Sequence, residues 1–584
     1  MYGMENINEL EHKRHSLAHL LGASIMELYP GSQITLGPAV DNGFYYDVDI
    51  KGKITDTDLE KVEAKMKELL KTWSTFEKKV LSKEEALKMF AGNVYKEELI
   101  NGIVEKGEEI TIYKSGNFAD LCRGGHIDNM KNIKEGSWKL DRIAGAYWRG
   151  DEKNKMLTRI YGLAFNTKEE LDAYILMQEE AKKRDHKKLG KELDLFTFSE
   201  LVGSGLPLWT PRGTLMRNLL DEYVWELRKN FGYSKVEIPH ITKKDLYETS
   251  GHWDKFKDEL FRITTREGHE FAMKPMNCPH HTQIYARKAW SYRELPQRYA
   301  NTTACYRDEQ SGELSGLSRV RSFAQDDAHV FCRMNQVKEE FLKIWDVIHS
   351  FYPSFGFNLE VRLSTHDPEH MEKYLGGDEK WKQAESVLRE IIKEKNVVAL
   401  DGVGEAAFYG PKLDFMAKDS LGRQWQVATI QLDMNMPERF DLTCSNEKGE
   451  KERIVMLHAA IMGSIERFMS ILIEHTAGNF PVWLSPVQVI VLPISEHQKE
   501  YADSVFQALK DADIRVELDD SNESLGKRIR NAKMSKVPYV IVIGDKEKEA
   551  KVITVEGRTE KLENITTEVF IENLQKEIEE RTLN

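Results

Sequence analysis

The periodicity of the chain changes at Pro481, and that change limits the fold more than any single motif. Beyond it, strand and helix patterns alternate: "VQVIVLPI", a helical "KEYADSVFQALKDA", "IRVELDD", a helical "SLGKRIRNAK", then "YVIVIGD". Parallel strands need crossover helices, so this order predicts a small α/β domain with a parallel core over 481–584. From 186 to 480, strand runs such as "VEIPHI", "VRSFAQ" and "RQWQVATIQL" stand among long helices without regular alternation, which predicts a largely antiparallel sheet. Residues 1–185 mix amphipathic helices such as "DLEKVEAKMKELLKTW" with short strands such as "GFYYDVDI". They close on a basic linker helix, "KEELDAYILMQEEAKKRDHKKLG", expected to break at Gly190. The expected fold class is α+β and multidomain, because 584 residues exceed what one hydrophobic core serves.

Composition excludes several classes. A net charge of −13 speaks against a general nucleic-acid coat, which needs clustered Lys and Arg. The start "MYGMENINEL" lacks the apolar run of a signal peptide, and no window reaches transmembrane length, so a cytoplasmic protein without membrane partners is expected. Five scattered cysteines suit a reducing compartment better than a disulfide framework.

The chemistry concentrates in the second block. "ACYRDEQSGELSGLSRVRSFAQDDAH" holds Arg307, Glu309, Arg319 and Arg321 around a Gly- and Ser-rich turn. On a strand, Arg307 and Glu309 would share a face, where a guanidinium forks onto phosphate and a carboxylate accepts from an amino group. From this stretch alone an ordinary cross-strand ion pair is the favoured reading. "HAAIMGSIERFMSILIEH" reads as a strand entering a helix through Gly463, with Arg467 just beyond.

Together, "YRDE" and "GSIERF" resemble motifs 2 and 3 of class II aminoacyl-tRNA synthetases, and "GYSKVEIPHI", with Pro239, resembles motif 1. "MKPMNCPHH", "VRSFAQDDAHVFC", "FYGPKLDF" and "TIQLDMNMPERFDL" are similar to threonyl-tRNA synthetases in particular, over nearly the whole chain. The resemblance implies ATP-dependent attachment of L-threonine to tRNA(Thr) through threonyl-adenylate. It implies catalytic roles for Arg307 and Arg467 and an ATP site of Arg307, Glu309, Arg319, Phe323 and Arg467, with Mg²⁺ entering on the nucleotide. It implies one zinc per chain on Cys278, His329 and His458, three ligands too far apart in sequence for spacing to reveal. Gln325, Asp327 and Tyr409 would then hold threonine. His280 stands where the family more often has glycine. Motif 1 implies a homodimer.

In the first block, "HSLAH" puts His15 and His19 on one helical face, and "CRGGH" puts Cys122 and His126 close together. Two readings compete: a tetrahedral zinc site, which ligand type alone favours, or a metal-free hydrolytic pocket. The resemblance implies the second, an editing domain in which these four residues, with Lys96 and Asp120, place water against a mischarged seryl ester. Gly125 departs from a proline frequent in bacterial relatives. Many members begin with a ubiquitin-like domain ahead of this one, so the resemblance implies a short form, natural or trimmed. The third block resembles an anticodon-binding domain, with Glu523, Lys527, Arg528 and Arg530 in "SNESLGKRIRN" as candidate RNA contacts, against the plainer reading of an exposed charged helix. A zinc hydrolase of small esters and a non-catalytic RNA-binding regulator are the other classes in view, but neither needs Arg307, Glu309 and Arg467 together.

Overall fold

The computed structural model describes residues 2–583. Its backbone falls into two compact units, Met1–Glu179 and Glu180–Asn584.

The first unit is built on helix Tyr2–Leu28, whose Leu17, Leu20 and Leu21 are buried in one cluster with Phe44, Tyr46 and Val48. The latter three alternate along strand Gly43–Asp49, so one face of its sheet turns inward. Each such side chain contributes about 1.5–3 kcal/mol on burial. That sheet runs through Gln33–Ile34, Gly43–Asp49, Met156–Ala164 and Trp138–Tyr147, with antiparallel pairing throughout. A second antiparallel sheet joins Glu77–Leu81, Ile110–Ser115 and Phe118–Leu121. Helix Val94–Glu105 begins where the Asn93 side chain accepts the N–H groups of Tyr95 and Lys96.

The second unit holds an eight-stranded sheet in the order Ser234–Lys235, Gln297–Tyr306, Ser322–Cys332, Val455–Ser464, Gln424–Asp433, Lys412–Lys418, Asn358–Thr365, Ala399–Val403. Its six middle strands are antiparallel, and only the two edge strands pair in parallel. Helix Val337–Phe351 buries Phe341, Ile344, Trp345 and Ile348 and packs on Val455–Ser464, leaving the other face of the sheet for the site. A five-stranded sheet follows, ordered Val516–Leu518, Val489–Pro493, Tyr539–Ile543, Ile553–Glu556, Lys561–Ile565; its first three strands are parallel and the last two antiparallel.

Two local expectations fail for identifiable reasons. "VEIPHI" is not a strand: pairing stops after Ser234–Lys235 and resumes at Ile241–Lys243, because Pro239 has no N–H to give a ladder. The basic helix breaks at Asp185 rather than Gly190. Lys168–Arg184 ends there, and the Asp185 carboxylate accepts the Lys187 N–H (2.7 Å) to start His186–Glu192. Gly190 sits inside that second helix because a Cβ would lie 2.2 Å from the Phe196 ring. Among the described residues, no helix is long and apolar enough to cross a membrane.

Candidate active site and editing pocket

The strand Ser322–Cys332 sets Phe323, Gln325, Asp327 and His329 at alternate positions on one face. His329 lies directly across from His458 on Val455–Ser464. Cross-strand pairing therefore joins two imidazoles 129 residues apart, with His329 Nε2 and His458 Nδ1 3.2 Å from each other. Cys278, at the start of helix Cys278–Ala286, completes a buried trio whose ligand atoms all lie within 4.8 Å.

The partners of both imidazoles are compatible with metal ligation. His458 Nε2 donates to Asp433 (3.0 Å), which frees Nδ1, and His329 Nδ1 meets His281 Nδ1 at 2.7 Å, a contact in which His329 as donor would leave its Nε2 lone pair for a metal. Burial, then neighbouring imidazoles, drives the His329 pKa well down, so the ring stays neutral. Burial, then the carboxylates of Asp327 and Asp433, raises the Cys278 thiol pKa, and a bound cation would oppose that by favouring the thiolate. The donor set thus fits a zinc-type ion with one position left open. His280 turns away from the trio, its ring set edge-on to Tyr247 (6.2 Å), with both nitrogens buried and unpaired.

A small pocket of about 90 Å³, lined by Cys278, Asp327, Tyr409 and His458, shares Arg307, Phe323, Gln325 and Gln431 with a cleft of about 540 Å³ lined by Glu309, Arg319 and Arg467. Tyr409 stacks on His458 and donates its hydroxyl to Gln431 (2.7 Å). Burial raises the Asp327 pKa, opposed most strongly by His458. The strand Gln297–Tyr306 stops one residue short of Arg307, so Arg307 and Glu309 meet in the cleft from a loop, not by strand alternation. The Arg307 guanidinium lies 5.3 Å from the Phe323 ring and 5.6 Å from Phe256, and its Nε is buried without a partner. Arg319 donates to Glu309 (2.7 Å), so in this state the carboxylate is held by an arginine. The Ser464 hydroxyl caps helix Ile465–Thr476 at the Arg467 N–H, and Arg467 has no ion-pair partner among the described residues. Asp326, between Gln325 and Asp327, faces the other way. It accepts the N–H groups of Ile461, Met462 and Gly463 at 2.7–3.1 Å and so fixes the strand that leads to Arg467.

The first unit assembles all six of its predicted residues. His15 and His19 are joined Nε2 to Nε2 at 3.2 Å, and Cys122 Sγ is 3.5 Å from both His15 Nε2 and His126 Nε2. The buried Lys96 ammonium pairs with Asp120, which also accepts the hydroxyl of buried Tyr46. Burial, then the other imidazoles, pushes the His126 pKa down to about 2, and burial pushes the Cys122 thiol up to about 11. These imidazoles are therefore neutral at physiological pH, with a lone pair on each ring. Gly125 adopts φ +83°, which a proline locked near −65° cannot match.

Sequence profiles match three stretches: the tRNA synthetase class II core domain (G, H, P, S and T) over residues 261–476, an anticodon binding domain over 488–581, and the threonyl and alanyl tRNA synthetase second additional domain over 110–161. The threonine–tRNA ligase of Porphyromonas gingivalis is 49% identical over 576 residues, covering 97% of this chain and 87% of that protein. The threonine–tRNA ligase of Flavobacterium johnsoniae is 49% identical over 555 residues, covering 94% and 85%. The chain belongs to the threonine–tRNA ligase family. Among solved structures, the RNA binding domain of threonyl-tRNA synthetase from Cryptosporidium parvum superimposes with a TM-score of 0.64 at 38% identity, covering 67% of this chain and 98% of that one. Putative threonyl-tRNA synthetase ThrRS-1 from Aeropyrum pernix gives 0.61 at 29% identity, covering 68% and 96%.

Within this threonine–tRNA ligase fold, three residues that line or brace the sites carry no signal in the sequence. His252 lies 3.9 Å from Cys278 Sγ and 3.2 Å from Met276 Sδ, with its pKa pushed down to about 3 by burial and then His458. Asp433 and Tyr46 are the others, each an isolated residue in an ordinary strand. In the anticodon-binding domain, the Ser524 hydroxyl caps helix Leu525–Met534. Glu523 and Arg530 are exposed, and Glu523 pairs with Lys527 (2.8 Å). Arg528 turns inward to the carbonyls of Asp519 and Ile494, which corrects its reading as an RNA contact.

Proposed function

We propose that this chain charges tRNA(Thr) with L-threonine at the expense of ATP, through threonyl-adenylate, and hydrolyses seryl-tRNA(Thr) in its first unit. One observation carries the reading: the Cys278, His329, His458 pocket shares a wall with the arginine-lined cleft, so amino acid and nucleotide would meet at Arg307.

In this reading the α-phosphate of ATP and the threonine carboxylate meet at Arg307, whose unpaired Nε supports that role. Attack of the carboxylate on the α-phosphorus builds charge on its free oxygens, and a fixed guanidinium stabilises it more than mobile water would. Phe323 stacks on adenine, Arg467 holds the terminal phosphate, and Arg319 joins it on release from Glu309, which then accepts from the adenine amino group. Mg²⁺ would enter with the nucleotide, since among the described residues the cleft lacks a cation-ligand cluster of its own. Zinc on Cys278, His329 and His458 would supply a Lewis-acid contact to the threonine amino and hydroxyl groups. Asp327 accepts the hydroxyl proton, while Gln325 and Tyr409 orient the amino group. Valine, lacking the hydroxyl, is rejected heavily; serine loses only a methyl, worth about 1–3 kcal/mol, and leaks through. That leak is the reason for a hydrolytic pocket built by His15, His19, Lys96, Asp120, Cys122 and His126. Glu523 and Arg530 contact the anticodon, two chains form a homodimer through motif 1, and the enzyme works in the cytoplasm.

Threonine-dependent exchange of label between pyrophosphate and ATP tests the central claim. Exchange with threonine, weak exchange with serine and none with valine is expected, and absence of threonine-dependent exchange overturns it. Light scattering should report twice 67.5 kDa at micromolar concentration; an active monomer refutes the dimer.

A further inference from the structure

Three of the six donor–donor distances in the first unit match the edges of a coordination tetrahedron. With zinc–nitrogen bonds of about 2.0–2.1 Å and a zinc–sulfur bond of about 2.3 Å, a tetrahedral ion separates its nitrogen ligands by about 3.3–3.4 Å and a nitrogen from sulfur by about 3.5–3.6 Å. The structure gives 3.2 Å between the Nε2 atoms of His15 and His19, and 3.5 Å from Cys122 Sγ to Nε2 of both His15 and His126. All four ligand atoms lie within 4.8 Å of one another.

The surrounding groups orient these atoms as ligands. His15 Nδ1 faces the Gly125 carbonyl (3.1 Å), so the proton sits there and the Nε2 lone pair points inward. His19 turns its Nε2 toward His15 Nε2 (3.2 Å), and its Nδ1 is buried without a hydrogen-bond partner, 3.8 Å from Asp120 Oδ2. The Gly124 N–H donates to Cys122 Sγ (3.3 Å), a contact that favours thiolate. The two histidines ride one turn of a long helix, and the other two donors flank a turn in which Gly124 and Gly125 take φ of +106° and +83°. His15, Cys122 and His126 are only partly buried, so an ion has a way in.

We propose that His15, His19, Cys122 and His126 form a chelate for one divalent metal of the zinc class, separate from the Cys278 site, and that filling it silences hydrolysis. The second half rests on the editing reading above. Binding expels the Cys122 proton to solvent and uses the inward lone pairs of the imidazoles. Four protein ligands close a tetrahedral ion, leaving no position for water and no free imidazole to take its proton. The same ion would serve the three-donor core site and block the four-donor pocket.

The test uses the full chain with its core metal in place. Cobalt(II) is titrated in while the charge-transfer absorption of a thiolate–cobalt bond is followed, and zinc is then added in competition. One further equivalent per chain is expected, displaced by zinc and lost in both Cys122→Ser and His19→Ala while the core metal is retained. Deacylation of seryl-tRNA(Thr) should fall at least about tenfold as that equivalent fills and recover with a chelator, in line with removal of general acid–base catalysis. No further equivalent, or one that persists in Cys122→Ser, overturns the chelate. Filling without loss of deacylation overturns the silencing. Failure to hydrolyse seryl-tRNA(Thr) before any metal is added to the first unit overturns the editing reading instead, with the chelate still measured by absorbance.

Discussion

Lys96 and Asp120 form an ion pair almost wholly out of water, with 1% and 3% of their side chains exposed. The energetics of such a pair are lopsided: removing one partner strands a buried charge at a cost of about 3–5 kcal/mol, whereas removing both with apolar groups of similar size is often near neutral. Lys96→Met should therefore destabilise the first unit by about 3–5 kcal/mol, and Asp120→Leu by at least as much, because it also leaves the Tyr46 hydroxyl without its acceptor at about 1–3 kcal/mol. The double variant keeps only the Tyr46 penalty, so it should fall short of additivity by about 6–10 kcal/mol. Hydrogen exchange of strands Ile110–Ser115 and Phe118–Leu121, followed by mass spectrometry on the full chain, reads this locally. Each single variant should exchange about a hundred to several thousand times faster, and the double variant should recover most of that protection. Additive single effects, or single effects under about 1 kcal/mol, would refute the claim that this pair is a buried, mutually dependent unit.

Three further outcomes follow from the geometry. Asp433→Asn, which weakens the carboxylate partner of His458, should loosen the core metal about 10–100-fold, measured by competition with a chromophoric chelator. Glu309→Ala should raise KM for ATP roughly ten- to a hundredfold with KM for threonine unchanged, as loss of a charged hydrogen bond implies; a matching rise for threonine would reassign the residue. Burial lowers the Lys13 pKa from 10.5 to about 8, and the folded chain sheds this proton before the unfolded chain does. Stability of the first unit should then rise, on the order of 3 kcal/mol, as pH climbs from about 8 to about 10.5, and Lys13→Met should flatten that rise in hydrogen exchange.

The nucleotide cleft was legible in part: "GSIERF" reads as a strand entering a helix at Gly463, and helix Ile465–Thr476 carries Arg467 as expected. Strand alternation did not place Arg307 and Glu309, which stand beyond the end of Gln297–Tyr306, whereas Phe323, Gln325, Asp327 and His329 came from the family resemblance and share one face of Ser322–Cys332. The metal trio was not legible from spacing, because a central antiparallel sheet pairs His329 with a residue 129 positions away. His252, Asp433 and Tyr46 escaped because one histidine, one aspartate or one tyrosine in an ordinary element has many fates, and only tertiary packing chooses among them. The Arg319–Glu309 pair was half legible: the stretch allowed an ion pair to Glu309, but the partner is Arg319 and not Arg307. Asp185 ended the basic helix where Gly190 was expected, because a side-chain acceptor at the cap outweighs the modest cost of an interior glycine.

The histidine pair across the central strands also sets a clock. Cys278 and His329 leave the ribosome first, and the 129 residues to His458 take roughly ten seconds at typical synthesis rates. For that interval the chain offers only two of the three donors, and an ion would not settle until Val455–Ser464 docks beside Ser322–Cys332. A one-residue slip of either strand would turn its imidazole to the opposite face. Metal uptake would therefore mark the moment when the newly made sheet has closed with its strands in the right alignment, and metal content would count the molecules that got there.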